Sequence, residues 1–269
     1  MRIARVFPTK TSMNPLDRHA YFDSPELFIP KYDEVHISVA FTWDIERANW
    51  LKKQWEFVAP VKIGGFAING EGNGFIPGMY LRKGITITSR GCPNRCPWCF
   101  INKPLEEIDP ISEGNIIQDN NILACSKEHI NKVFQMLSRQ HFIRFLGGLE
   151  AKYIKYDIVE RFRSLRIKEL WLSYDHDGAI YDLVKASYLL RKYFKRYKLR
   201  CYVLIGFRQD TIEKAEQRLV KAWELGFLPF AMLYRNKQGD YPKPEKEWRQ
   251  FQRTWARPAA IATKIKELT

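Results

Sequence analysis

Long apolar runs are missing from this 269-residue chain. No window approaches the ~20 apolar residues of a membrane helix, and Met1 to Lys10 lacks the apolar centre of a secretion signal. The expectation is an intracellular, cytoplasmic protein with no membrane partner. Cysteine is scarce and odd in number: of five, Cys92, Cys96 and Cys99 fall within eight residues. That distribution is unlike the paired framework of a secreted disulfide domain. Acid is also in short supply, 30 Asp and Glu against 44 Lys and Arg for a net charge of +14. Polyanions such as nucleic acid are therefore attracted at long range, although charge alone names no partner. What is present excludes a disordered tail: 45% of residues are hydrophobic and 14% aromatic, enough to bury a core.

Between Glu34 and Ile68 a β-rich run (Val35, Ile37, Val39, Phe41), a helical stretch (Trp43 to Trp55) and a second apolar run (Val61 to Ile68) read as one β-α-β unit. Gly70, Gly72, Gly74, Pro77 and Gly78 then read as turn and linker residues, setting a boundary before Gly84. The glycine-rich stretch from Gly64 has no Gly-Lys-Ser/Thr and no dinucleotide fingerprint ahead of a helix, so a linker is the simpler reading. Residues 1–83 are thus expected as a small N-terminal β-α-β extension and 84–269 as the main domain.

In the second region β candidates run over Ile85 to Arg90, Asn115 to Leu123, Phe142 to Leu146, Glu169 to Tyr174, Cys201 to Phe207 and Pro229 to Arg235. Helical stripes lie between them: Ile130, Val133, Phe134 and Leu137, then Leu183, Ala186, Leu190 and Phe194. Ser126 and Asp210 with Thr211 suit helix starts, and Gly226 suits a helix end. Alternating strand and helix implies an α/β fold with a parallel sheet, right-handed crossovers and a partial (β/α)6 barrel. Its chemistry is expected on the loops at the C-terminal ends of the strands. Trp248, Phe251, Trp255 and Arg257 suggest a C-terminal capping helix.

The first of these strands ends in Thr88-Ser89-Arg90-Gly91-Cys92-Pro93-Asn94-Arg95-Cys96-Pro97-Trp98-Cys99-Phe100. Thiolates spaced C-x3-C-x2-C on a loop stiffened by two prolines can converge on one metal centre. Structural zinc takes four protein ligands, and an electron-transfer iron-sulfur cluster is usually held by four cysteines. Three local cysteines on a four-iron cluster would leave one iron open to a ligand.

The segment resembles the signature of the radical S-adenosylmethionine (SAM) enzymes, C-x3-C-x-aromatic-C at the end of the first barrel strand, with Trp98 at the aromatic position. Gly84 to about Asn236 looks like their core fold, and its nearest likeness is to uncharacterised iron-sulfur oxidoreductase-like proteins. Thr-Ser-Arg-Gly-Cys is similar to the branch that often carries an N-terminal cobalamin-binding domain, of which residues 1–83 resemble a truncated piece. The Asp-x-His-x-x-Gly cobalamin signature is absent from the chain. The resemblance implies a 4Fe-4S cluster on Cys92, Cys96 and Cys99, SAM bound at the open iron, and reductive cleavage to a 5'-deoxyadenosyl radical that abstracts hydrogen from a substrate. It also implies an electron donor such as flavodoxin or ferredoxin.

Where the family often places Gly-Gly-Glu for the SAM amino group, this chain has Asp119-Asn120-Asn121. Gly147, Gly148 and Glu150 follow the next strand candidate, with Glu150 a candidate for SAM polar groups. Ser173 and Asp175 fall where the family binds ribose or carboxylate, and Gly206 in the adenine-contacting segment. Each has a plainer alternative: Asp119 and Asn120 as turn and capping residues, Gly147 and Gly148 as a tight turn, Glu150 as a solvated acid. For the cysteines the alternative is a zinc knuckle completed by Cys125, Cys201 or a histidine, in a non-catalytic nucleic-acid-binding module. Otherwise Cys125 and Cys201 read as small buried residues. His176 lies nearest the expected rim. The basic, aromatic stretch Arg191 to Arg200 reads as a solvated helix face or a nucleic-acid footprint. The charge favours RNA or DNA as substrate, with a small molecule or peptide as competing readings.

Overall fold

The computed structural model describes residues 1–68, 75, 78–101 and 103–268. Gly70, Gly72, Gly74 and Pro77, expected as linker residues, lie outside them. The chain divides into two compact units, Met1–Ile85 with Lys237–Gly239, and Thr86–Asn236 with Asp240–Thr269. No helix among the described residues is long and apolar enough to cross a membrane.

The first unit contains β1 (Ile3–Val6), β2 (Ala20–Tyr21), β3 (Glu34–Ser38), α1 (Ile45–Trp55) and β4 (Val61–Gly64). The strands form a parallel sheet in the order β2-β1-β3-β4. Ala48, Leu51 and Trp55 fall on one face of α1 and pack with Val35 and Ile37 in a separate core. The expected β-α-β unit is β3-α1-β4, but β1 and β2 extend it. Four residues containing Arg5 carry little periodic signal, and only pairing with β3 buries Ala4 and Val6.

The chain passes into the second unit within β5 (Ile85–Thr86), followed by β6 (Ser89–Arg90), β7 (Glu106–Glu107) and β8 (Ile116–Ile117). It continues with α2 (Lys127–Ser138), β9 (Ile143–Leu149), α3 (Tyr156–Arg163), β10 (Ile167–Tyr174) and α4 (Ile180–Leu190). Then follow β11 (Leu199–Ile205), α5 (Ile212–Glu224), β12 (Leu228–Leu233), α6 (Glu245–Thr254) and α7 (Pro258–Leu268). Six strands lie in sequential order, β12-β11-β10-β9-β8-β5, and every pair from β8 to β12 is parallel. Among the described residues no pairing joins β12 to β5, so the barrel is partial.

Alternation along the strands sets the two faces of the sheet. Leu170, Leu172, Leu199, Cys201, Val203 and Ile205 are buried against the helices. Glu169, Trp171, Ser173, Arg200, Tyr202 and Leu204 are half-buried on the other face. The helical stripes supply the opposing apolar surface through Ile130, Val133, Phe134 and Leu137 of α2 and Leu183, Ala186 and Leu190 of α4. Ser126 and Thr211 cap α2 and α5 by accepting from the amides of His129 and Lys214. Gly226, at φ 87°, ends the turn after α5.

Several expected boundaries shift. The strand expected over Ile85 to Arg90 is broken into β5 and β6, and β6 pairs antiparallel with β7. The strand expected over Asn115 to Leu123 is only Ile116–Ile117, followed by a short 3-10 helix, Ile122–Ala124. Helix α4 stops at Leu190, and the basic stretch after it is a turn and a 3-10 helix, Arg196–Lys198, because Phe194 folds back into the core. The expected capping helix is two helices, with Pro258 opening the second. Trp248 and the fully buried Trp255 fasten them, and the Trp255 carbonyl accepts from the Ala231 amide at 3.2 Å. Trp255→Ala should lower unfolding free energy by about 3–5 kcal/mol. A denaturant titration checks this, and an unchanged midpoint would contradict the assigned role.

Candidate functional site

The cysteine loop follows β6, which pairs with β7 outside the six-stranded sheet, and its start is held by one carboxylate. Asp119, almost fully buried just after β8, accepts from the Thr88 amide at 2.7 Å, the Thr88 hydroxyl at 2.6 Å and the Ser89 hydroxyl at 2.8 Å. Burial pushes the Asp119 carboxyl up, and these bonds and the nearby His129 pull it the other way. His129 Nε2 lies 3.2 Å from the Thr88 hydroxyl. The Asp119 side chain is therefore turned toward Thr88 and Ser89 inside the protein. Asn120 acts one residue further along, its Oδ1 accepting from the Gly91 amide at 3.0 Å.

Gly91 has φ 74°, and a Cβ there would stand 1.9 Å from the Pro104 carbonyl oxygen. Only glycine lets the two ends of the loop approach this closely. The Cys92 amide then donates to the Lys103 carbonyl at 3.2 Å and the Cys99 amide to the Cys96 carbonyl at 3.0 Å. Gly147 serves the same kind of approach from the neighbouring strand, since a Cβ on it would meet the Asp119 carbonyl oxygen at 1.9 Å. Gly147 and Gly148 were expected after their strand but lie within β9. Phe145 pairs with Leu170 but Leu149 with Leu172, so β9 bulges at these glycines. Gly148 takes φ 94° in open space.

A polar network faces the loop from the end of β9. Glu150 Oε2 accepts from Asn94 Nδ2 at 2.9 Å and from Asn121 Nδ2 at 2.7 Å, while Oε1 pairs with Lys152 at 2.6 Å. Lys152 also donates to Asn94 Oδ1 at 3.2 Å. Asn121 is 3% exposed; its Nδ2 lies 3.5 Å from Cys92 Sγ, and its Oδ1 is buried without a partner. Asn94 and Lys152 were not singled out by sequence reasoning, and Asn121 entered only within its tripeptide. The available signal was the position of Asn94 between two cysteines.

On the opposite rim Trp98 donates to Asp175, which directly follows β10. Asp175 keeps some exposure, yet the surrounding protein desolvates it enough to push its carboxyl up to about 6, against the pull of the Trp98 bond and the Arg218 charge. The Trp98 ring lies 5.4 Å from that of His176 and 5.9 Å from that of Phe207, which packs at 4.9 Å on Tyr234. Gly206, at φ 75° after β11, donates its amide to Asp210 at 2.8 Å. Ser173 lies within β10, half-buried.

The three thiols share one loop without closing on a point: among the described residues no three His, Cys, Asp or Glu side chains are grouped to hold a metal ion. Burial foremost, then the charges of neighbouring thiols, Asp175 and Glu150, push the Cys96 thiol up; burial and the Cys92 and Asp175 charges do the same for Cys99. As a donor set, three thiols spaced C-x3-C-x2-C suit an iron-sulfur cluster with one open iron, whereas structural zinc takes four protein ligands. The Ile101 amide lies 3.5 Å from Cys99 Sγ and Asn121 Nδ2 the same distance from Cys92 Sγ, N–H donors of the kind that thiolate ligands accept. The residues fit such a group.

No protein-family model and no curated protein sequence matches the chain. A solved structure does: a radical S-adenosylmethionine methyltransferase, TsrM from Kitasatospora setae, with cobalamin and a 4Fe-4S cluster bound. Its TM-score is 0.60 at 10% identity, covering 88% of this chain and 76% of that one. What the two share is the fold.

Asp119→Ala would leave the Thr88 amide and two hydroxyls without their acceptor. It should cost at least about 3 kcal/mol in a denaturant titration, from ~1–3 kcal/mol for each of the three unmet buried donors. A loss below the scatter of the measurement would show that Asp119 does not hold the loop.

Proposed function

We propose that this chain is a radical SAM enzyme in which Cys92, Cys96 and Cys99 hold a 4Fe-4S cluster and SAM binds beside it. The observation that carries the reading is the placement of three thiols on one loop, at the C-terminal edge of a sequentially ordered parallel sheet. When bound, the cluster supplies the electron that cleaves SAM to a 5'-deoxyadenosyl radical for hydrogen abstraction. A carrier such as flavodoxin or ferredoxin fits as the source of that electron.

The chain's own residues supply position and exclusion. Asp119 and Asn120 hold the loop at Thr88, Ser89 and Gly91. The partnerless Asn121 Oδ1 and the adjacent Glu150 carboxylate are acceptors suited to an ammonium group with three donors. In this reading they take the role that the family gives to its Gly-Gly-Glu, and Gly147 allows the backbone approach at Asp119 that brings Asn121 there. Asp175 and Ser173 offer acceptors on the ribose side, and Gly206 directly follows β11 in the segment that corresponds to the family's adenine contact. Trp98, His176, Phe207 and Tyr234 wall the rim and restrict water.

Anaerobic reconstitution should give about four irons with acid-labile sulfide per chain, and SAM with dithionite should then release 5'-deoxyadenosine. The Cys92→Ala/Cys96→Ala/Cys99→Ala variant should retain neither property. One zinc without sulfide, or a cluster that survives all three substitutions, would overturn the assignment. Gly91→Ala should cut iron content several-fold with the circular dichroism spectrum kept, because its Cβ would push the loop off the Pro104 carbonyl.

A further inference from the structure

Beyond the cysteine loop, a groove of ≈ 620 Å³ lies where the segment after β9 and the start of α3 meet α4. Lys152, Lys155 and Lys185 line it together with Tyr156 and Tyr188, against one acid, Asp182. The aromatic rings stand in solvent: Tyr156 and Tyr188 of the groove are 63% and 67% exposed, and Tyr181, on α4 outside the groove's lining, is 66% exposed. Each ring on α4 already carries a cation, Lys185 at 4.0 Å over Tyr181 and Lys192 at 4.1 Å over Tyr188. Tyr181 and Tyr188 lie two helical turns apart on one face, about 10.5 Å along the axis. That spans about three nucleotides of a stacked strand at 3.4 Å each.

The groove has a direction. At one end Lys152 reaches both Glu150 and Asn94, the residue between Cys92 and Cys96. At the other, Lys192 stands over the ring of Tyr188. Paired basic and aromatic side chains match an unpaired nucleic-acid strand, whose bases stack on rings while its phosphates meet lysines. A bilayer would instead call for an aliphatic insertion face. Here the exposed aliphatic residue is Val184 alone among the described residues that line the groove.

We propose that this groove docks single-stranded nucleic acid and leads one nucleotide to the cysteine loop, which makes nucleic acid the substrate class of the site described above. The role of the loop rests on the radical SAM reading; the docking surface does not. A short fluorescein-labelled oligouridylate or oligothymidylate should bind the reconstituted protein in an anisotropy titration. Tyr181→Ala/Tyr188→Ala should weaken binding by about tenfold or more, from ~1–3 kcal/mol per stacked base. Tyr181→Phe/Tyr188→Phe should keep the affinity.

Lys185→Glu/Lys192→Glu should flatten the dependence of log K on log salt by about 0.7 for each phosphate that is no longer neutralised. Phe142→Ala provides the control, an exposed aromatic at the opposite end of β9 that should change nothing. Equal binding by wild type and the tyrosine-to-alanine variant would overturn the proposal. So would heparin or anionic vesicles binding as tightly as the oligonucleotide, since neither offers bases. Wild type separates the two readings: a strand still bound by wild-type protein that assembles no cluster under anaerobic reconstitution leaves the docking surface standing and removes only the enzyme assignment.

Discussion

The buried carboxylate of Asp119 is the interaction on which the candidate site depends. It stands where β8 has just ended and takes three hydrogen bonds from Thr88 and Ser89, the residues that launch the cysteine loop. A charge in so desolvated a place persists only when its oxygens are satisfied, so its geometry is narrowly set. Thr88 and Ser89 are fully buried in consequence. The loop beyond them is anchored to the sheet through Asn120 at Gly91 as well as through the chain itself.

Around that anchor the sheet separates two kinds of chemistry. Its helix-facing side is an apolar core in which Leu170, Leu172, Cys201 and Val203 are closed off from solvent. Its other side carries Glu169, Trp171, Arg200 and Tyr202, with the Trp171 indole donating to Glu169 at 3.0 Å. The loops at the C-terminal edge then divide the labour: Asn94, Asn121 and Glu150 form a hydrogen-bonded flank, and Trp98, His176 and Phe207 form an aromatic one. The strain and close approach that this needs are concentrated at Gly91 and Gly147, where backbone oxygens occupy the space of a Cβ.

Much of the framework was legible because it rests on local periodicity. The helical stripes of α2 and α4 are core faces, the caps Ser126 and Thr211 act as their composition indicates, and the sheet is parallel and sequential. Short elements were not legible. Strand β1 has four residues and depends on β3 for its burial, while the segments at Thr88 and Asp119 exchange strand pairing for side-chain bonds. Such a trade leaves no periodic trace.

The sequence by itself determined the alternation of strands and helices, the three closely spaced thiols, the aromatic beside the last of them and the excess of positive charge. Each is a property of neighbouring residues or of composition. Only the tertiary structure decided that Asp119 turns to Thr88 and Ser89, that Asn121 and Glu150 meet Asn94, and that Tyr188 of α4 lines a groove with Lys152. Those pairings join residues tens of positions apart. They exist because parallel crossovers bring successive strand ends to one edge, a proximity that no local pattern encodes.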